Sequence, residues 1–209
     1  MQDKSMLHSA VTAGGKYEYS VMLADLEPSS LQLYSNKALL DSLCKSGCAN
    51  YQKKWSCPPF APSIDEFTFG WRHLYIMFMC INMVQFEHIR NTYLQIKAAN
   101  SILKSRADKF LRIMAKKHGK YISNGSCRLC KPCRLKSDLP CSKPDLMTYS
   151  FEAMGINVAE LVNGYFDKPL LWYKSQQLPE YTSVVSGLLT SERLSLNFLL
   201  SEYRKCVTS

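Results

Sequence analysis

The sequence predicts an α/β fold in a single domain that spans residues 1–209, with a mixed or parallel sheet of about four strands and flanking helices. Two observations support this fold class. Strand-like and helix-like segments alternate along the chain, and no low-complexity linker or internal repeat divides it. A chain of 209 residues, of which 46% are hydrophobic, is long enough to bury one substantial core. Two cysteine-rich loops, residues 44–60 and 125–144, interrupt the pattern, and we expect both to hold metal.

The first half of the chain predicts two strands and one short helix. Residues 17–26 are rich in β-prone side chains, which indicates a strand. Residues 35–43 combine a capping serine with an apolar face, and this helix should end at Gly47, which places Cys44 on its last turn. Residues 73–84 are apolar without alternation, so this strand is predicted to be central and buried on both faces.

The second half predicts one long helix and several shorter elements. Apolar residues recur with the period of an amphipathic helix over residues 86–117, and Gly119 should end this helix. The elements predicted after it are a strand at residues 120–123, two short helical pieces within 150–165 that are separated at Gly155, a strand at 181–189, and a helix at 191–204 that Ser191 caps.

Hydropathy gives an expectation about location. The longest apolar run falls short of the ~18–20 residues that a membrane-spanning helix needs, so we expect no membrane segment. Residues 1–16 are polar and lack the apolar core of a signal peptide, and a cytoplasmic location is expected by default. That compartment keeps thiols reduced, so the nine cysteines are not expected to form disulfides.

The net charge of +9 raises the question of nucleic-acid binding. Lys109, Arg112 and Lys116 recur at helical spacing, which is also typical of a solvated helix face. Other basic residues lie among the second group of cysteines, where thiolates would bring compensating negative charge. Basic charge alone does not define a site, so nucleic acid ranks as the secondary partner hypothesis.

The second cysteine group has the spacing Cys-x2-Cys-x2-Cys-x7-Cys and comprises Cys127, Cys130, Cys133 and Cys141. Closely spaced cysteines on one loop can reach different corners of a cubane iron–sulfur cluster, and a more distant cysteine completes the ligand set. Structural zinc sites more often use two Cys-x2-Cys pairs on separate arms, although four sulfurs could also hold zinc here. We therefore predict a [4Fe-4S] cluster in this loop, with zinc as the alternative.

The first cysteine group, Cys44-x3-Cys48-x8-Cys57, supplies three thiols and no obvious fourth ligand. Three thiolates can hold a cubane cluster and leave one iron open to substrate, which is what chemistry at iron requires. Zinc with three sulfurs and one water is the parallel alternative. If the site is instead structural, a further side chain completes it, and the candidates are Tyr51, a histidine such as His73, and Cys80.

Several short motifs extend the two cysteine groups into a combination that covers residues 44–158. They are Cys44, Cys48 and Tyr51, WSCPP at 55–59, GSCRLC at 125–130, Pro140 with Cys141, and SFEAMGINV at 150–158. This combination resembles a prokaryotic family of predicted metal-binding proteins. The resemblance implies a cysteine-ligated metal centre, with iron–sulfur as the expected type, in one soluble domain, and it implies no particular reaction. The usual form of the last motif has Met in place of Phe151, and Glu152 is a candidate family feature as an acid or at a helix end.

Two functional hypotheses follow, and the sequence leaves open whether the protein is an enzyme. In the first, one or two [4Fe-4S] clusters per chain serve electron transfer, or reductive or sulfur-transfer chemistry at the three-cysteine site, with a redox partner or a small-molecule substrate. In the second, zinc staples both loops of a non-enzymatic binding module whose basic surface contacts nucleic acid. The sequence contains no Gly-rich phosphate loop, Gly-x-Ser-x-Gly or His-Glu-x-x-His motif.

Overall fold

A computed structural model describes residues 3–208 as a five-stranded antiparallel sheet with helices on both faces. The strands lie in the order β1-β2-β3-β5-β4. They are β1 Asp3–Thr12, β2 Gly15–Leu26, β3 His73–Asn82, β4 Gly119–Ile122 and β5 Tyr181–Thr190. The helices are α1 Lys37–Gly47, α2 Ile64–Thr68, α3 Thr92–His118, α4 Val158–Phe166 and α5 Leu196–Thr208. The mixed α/β class is confirmed, whereas the prediction of a four-stranded parallel or mixed sheet is wrong.

The orientation of β5 explains why the predicted strand directions are wrong. Helix α3 connects β3 to β4, and these two strands run parallel to each other. A helical connection favours this arrangement. These two strands are not neighbours, however, because β5 lies between them and pairs antiparallel with both. The alternation of strands and helices therefore predicts the crossover correctly and cannot predict which strand is inserted into it.

The additional strand is β1, which forms a hairpin with β2 at the edge of the sheet. Met6 and Ala10 face the core from β1, while Leu7 and Val11 are exposed. With both exposed and buried positions carrying apolar residues, the strand shows no clean alternation in sequence. Gly15 allows the hairpin turn, because its φ of 127° is unfavourable for residues with a side chain.

The central position predicted for residues 73–84 is confirmed by β3, which pairs with β2 on one side and β5 on the other. Its side chains alternate between two apolar clusters, one on each face of the sheet. Tyr75, Met77, Met79 and Ile81 join the cluster beneath α3 and α5, and Leu74, Ile76 and Phe78 join the cluster beneath α2 and α4. The continuous apolar run in the sequence reflects burial on both faces.

The predicted helices exist, with shifted starts. Helix α3 begins at Thr92 instead of residue 86, because residues 83–86 form a separate 3-10 turn and the Asn91 side chain accepts from the Leu94 N–H at 3.0 Å. Asn36, not the neighbouring serine, caps α1, and Ser195 caps α5 in place of Ser191. Within residues 3–208, no helix combines the length and apolar character that crossing a bilayer requires.

Candidate metal centre

The four cysteines of the second group line one small cavity. Its wall is formed by Cys127, Cys130, Cys133 and Cys141 together with Lys54, Trp55, Ser56, Leu129 and Met147. All four thiols are partly accessible to solvent. The sulfur of Cys130 lies 3.5 Å from the Ser142 hydroxyl, so the two chain segments that carry these cysteines meet at the cavity.

This loop is closed at its base, beyond the end of β4. The Ser123 N–H donates to the Tyr149 carbonyl at 2.8 Å, and Ser123 and Ser150 form an isolated bridge. The Ser123 hydroxyl also donates to the Gly125 carbonyl at 2.7 Å. The 3-10 helix Arg134–Ser137 directly follows Cys133. The ends of the loop are therefore fixed by the sheet, and its cysteines are held in between.

A short segment of the first loop, residues 54–57, fastens the second loop by its side chains. The Lys54 ammonium donates to the Ser126 hydroxyl at 2.9 Å and to the Cys127 carbonyl at 3.1 Å. The Trp55 indole N–H donates to the Leu139 carbonyl at 3.0 Å. The Trp55 side chain also lines the cavity of the second group.

Ser56 connects the two cysteine groups directly. Its buried hydroxyl accepts from the Cys127 N–H at 2.9 Å and lies 4.0 Å from the sulfur of Cys57. One side chain thus contacts a candidate ligand residue of each group. The two groups, which are distant in sequence, are neighbours in the fold.

The first cysteine group forms around the end of α1. Cys44 lies on the last turn of α1, as predicted, and the Cys48 N–H donates to its carbonyl at 3.0 Å. Burial raises the pKa of the Cys57 thiol to about 11, and the nearby Cys48 and Cys44 thiols contribute to this increase. Burial, followed by Cys48, also raises the pKa of Cys44. The three thiols are therefore close enough to influence one another.

The three candidates for a further ligand of this group lie in different places. Tyr51 is in the same loop, where its N–H donates to the Cys48 carbonyl at 3.1 Å. His73 begins β3 opposite Thr190. Cys80 lies near the other end of β3 and lines a separate pocket with Ser20 and Tyr181.

Two carboxylates that the sequence did not single out as ligands act on Cys44. Asp41 lies one turn earlier on α1, and it and Glu152 each raise the Cys44 pKa after burial and Cys48. Asp41 is paired with Lys37 at 2.9 Å, and both side chains are partly exposed. Glu152 lies in the short 3-10 helix that follows the second loop. Asp41 lies within one helical turn of Cys44, whereas Glu152 could not have been assigned to Cys44 from spacing because it is far away in sequence.

Gly155 sets the position of α1 against this 3-10 helix. It adopts a φ of 95°, and a Cβ atom here would lie 2.7 Å from the Cα atom of Lys37. The Asn36 N–H donates to the Gly155 carbonyl at 2.8 Å. The predicted break at Gly155 is confirmed, and its role is to let the start of α1 approach closely.

The charges around the second loop differ from the expected pattern. Arg128 is one of the basic residues among the second group of cysteines, and its guanidinium pairs with Asp108 of α3 at 2.9 Å. Asp108 also accepts from Asn124 at 3.0 Å and from the Tyr121 hydroxyl. Lys131 and Arg134 remain exposed beside the cysteines. Among residues 3–208, no three His, Cys, Asp or Glu side chains are already placed around a point that could hold a single metal ion.

The donor set fits a thiophilic metal centre. Four thiols around one cavity could hold an iron–sulfur cluster or zinc, because both bind thiolate sulfur. Cys44, Cys48 and Cys57 could hold a second centre, and the raised pKa values of Cys44 and Cys57 make the loss of their thiol protons on metal binding more costly.

Comparison with known proteins gives one match. A family model described as predicted metal-binding protein (DUF2284) matches residues 32–190, which include both cysteine groups and the motif around Glu152. The match starts after β2 and ends with β5, so the β1–β2 hairpin and α5 lie outside it. No curated protein and no solved structure matched the chain. Since the model covers more than half of the chain, the protein belongs to this family of predicted metal-binding proteins.

Proposed function

We propose that the protein is an iron–sulfur protein in which Cys127, Cys130, Cys133 and Cys141 hold a [4Fe-4S] cluster. A cubane is larger than a single ion, so its ligands surround a cavity, and these four cysteines line one. Their spacing also matches the way in which cubane ligands are grouped on one loop. The Lys54 ammonium and the exposed Lys131 and Arg134 would offset part of the negative charge of the ligand set.

The three-cysteine site is the reactive centre in this proposal. Cys44, Cys48 and Cys57 would hold a second cluster and leave one iron free for a substrate. Of the two carboxylates close to Cys44, Asp41 is already paired with Lys37, whereas Glu152 borders a cavity that Lys104 and Trp172 also line. Glu152 is therefore the side chain best placed to move a proton during reduction at this centre.

One observation carries the proposal. The Ser56 hydroxyl lies 2.9 Å from the backbone N of Cys127 and 4.0 Å from the sulfur of Cys57. It supports a path in which a redox partner reduces the partly exposed four-cysteine centre, and an electron passes by way of buried Cys57 to the three-cysteine centre. There the electron would serve reductive or sulfur-transfer chemistry on a small substrate.

Anaerobic purification with metal analysis tests this function. We expect about eight iron and eight sulfide ions per chain for two cubanes, with an absorbance band near ~400 nm. The Cys133→Ser and Cys57→Ser variants should each lose about half of the iron, and spin resonance of the reduced variants should show one remaining centre. Cys80→Ser is the matched control and should retain all of it, because Cys80 lies in β3 away from both groups. Finding zinc instead of iron in every sample would overturn the proposal. So would an iron content that neither ligand variant reduces.

A second candidate is the zinc-stapled module with a nucleic-acid surface. Lys109, Lys116 and Lys117 lie exposed on α3, and Lys131, Arg134 and Lys136 are exposed on the second loop. This distribution is what a phosphate-binding surface would need. Zinc in the purified protein, together with RNA or DNA affinity that falls steeply with added salt, would favour this candidate over the first.

A further inference from the structure

The sheet leaves part of β5 without a neighbour. Strand β4 ends at Ile122, which lies opposite Gly187 of β5. In the part of the sheet that the structure describes, residues 181–186 therefore have β3 on one side and no strand on the other. A cavity of about 360 Å³, partly open to solvent, occupies this gap. Its size is in the range of ligand-binding clefts.

The walls of this cavity come from both faces of the sheet. Helix α3 contributes Ile96, Asn100 and Lys104 from one face, and Glu152 and Val158 contribute from the other. The outer side is closed by residues 170–173, which cross the gap.

This crossing segment is pinned at both ends. The Tyr181 hydroxyl donates to the Pro169 carbonyl, and the hydroxyls of Thr92 and Tyr173 lie 2.8 Å apart. The segment is therefore held in place over the cavity by hydrogen bonds from β5 and from α3.

Lys104 is the charged group that points to the chemistry of a ligand. Its side chain is partly buried, and within residues 3–208 it forms no hydrogen bond or ion pair. Burial, and then the Arg128 guanidinium, lower its pKa, while Asp108 and Glu152 act in the opposite direction. A half-buried cation without a partner is costly, and an anion in the cavity would remove that cost.

Further polar and apolar groups define the rest of the cavity. The Asn100 carboxamide oxygen accepts from the Thr182 hydroxyl at 3.0 Å, which orients its amide N–H group and leaves it for other acceptors. On the outer side, Leu170 and Leu171 are partly exposed, and the Trp172 indole is 61% exposed. Such an exposed aromatic ring beside a cavity is suited to contact the apolar body of a ligand.

We propose that this cavity binds a small organic acid, with its carboxylate at Lys104 and Asn100 and its apolar body against Leu170 and Trp172. The site is separate from the two cysteine groups. Glu152 faces the cavity and also acts on Cys44, so a ligand here would lie beside the three-cysteine site. Binding itself requires no cluster, and its test is independent of the proposed iron–sulfur function.

The test is a calorimetric titration of the anaerobically purified full chain with anilinonaphthalene sulfonate, an anionic aromatic probe whose heat of binding does not depend on cluster colour. Lys104→Met keeps the length of the side chain and removes its charge, and we expect about tenfold weaker binding or more. Lys116→Met, on an exposed part of the same helix, is the matched control and should bind like the unmodified chain. Equal affinities in the two variants would overturn the proposal.

A second variant and a competition experiment test the apolar body and the carboxylate of the proposed ligand separately. Trp172 lies at the surface, and Trp172→Ala should also weaken binding of the probe. This second variant tests the site even if Lys104→Met does not fold. 3-Phenylpropionate should displace the probe, whereas 3-phenylpropionamide, which lacks the negative charge, should not. Displacement by both compounds alike, or unchanged binding in Trp172→Ala, would contradict a site for an organic acid.

Discussion

The hydroxyl of Ser56 accepts a hydrogen bond from the backbone N–H of Cys127 at 2.9 Å. Ser56 precedes a candidate ligand of the first group, and Cys127 is a candidate ligand of the second, so this bond sets the distance between the two groups. The residues are separated by 71 positions in sequence, and nothing in the spacing of the cysteines predicts their contact.

The first prediction concerns this bond. Ser56→Ala removes the acceptor and leaves the Cys127 N–H without its partner, so we expect a loss of about 1–3 kcal/mol in the free energy of unfolding. Amide hydrogen exchange at Cys127 should become faster, because the group is no longer hydrogen-bonded. Ser137→Ala, at an exposed serine in the second loop, should change stability by less than about 0.5 kcal/mol. Unchanged exchange at Cys127 in Ser56→Ala would show that the contact is not formed in solution.

The second prediction concerns Lys54, with its neighbour Lys53 as the control. Lys54→Met removes the ammonium that makes two hydrogen bonds to the second loop, one to Ser126 and one to the Cys127 carbonyl. We expect faster metal loss to a chelator, because the loop that carries the four cysteines is held less firmly. Lys53→Met is the matched control, since Lys53 is exposed and its side chain makes no contact with that loop among the contacts described. Identical rates of metal loss in the two variants would rule out this role for Lys54.

The third prediction concerns Asp108, which ties α3 to the start of the second loop. Its carboxylate accepts from Tyr121, Asn124 and Arg128. Asp108→Ala leaves the buried Tyr121 hydroxyl unpartnered and should cost about 3 kcal/mol of unfolding free energy, measured by urea denaturation. Asp145→Ala, at an exposed position just after the second loop, should be close to neutral. A similar small effect of both substitutions would mean that Asp108 does not fasten the loop.

Much of the local structure follows from the sequence, because local patterns determine it. The apolar period of α3, the double-sided burial of β3 and the break at Gly155 are properties of neighbouring residues, and each was predicted. The position of β5 between β3 and β4 depends on contacts between distant segments, and no periodicity encodes it. Strand β1 was missed because exposed Leu7 and Val11 hide its alternation.

The same distinction applies to the candidate site. The grouping of the cysteines could be seen from spacing, because ligands of one centre often lie on one loop. The contact between the groups depends on Ser56 and Lys54, which are common residue types in a loop and give no pattern of their own. Likewise, the cavity beside Lys104 arises from the difference in length between β4 and β5, which becomes visible once the register is known.

The last prediction concerns alkaline pH and the pair of buried tyrosines that joins α5 to β2. The Tyr203 hydroxyl donates to the Tyr19 hydroxyl at 2.9 Å, and burial, followed by Tyr19, raises the pKa of Tyr203 far above its usual value. In the unfolded chain a tyrosine ionises near pH ~10. The folded state therefore keeps a proton that the unfolded state loses, so this contribution to stability is complete below about pH 10 and decreases as the pH rises further.

Tyr203→Phe isolates that contribution. The variant should lose about 1 kcal/mol near neutral pH, because the hydrogen bond to Tyr19 is removed. Above about pH 10 its unfolding free energy should fall less steeply than that of the unmodified chain, by up to about 1.4 kcal/mol per pH unit. Urea denaturation between pH 8 and 11 would measure both effects, and Tyr93→Phe, at a tyrosine that is 55% exposed, should leave the slope unchanged. Parallel curves for Tyr203→Phe and the unmodified chain would show that Tyr203 is not held protonated by its burial against Tyr19.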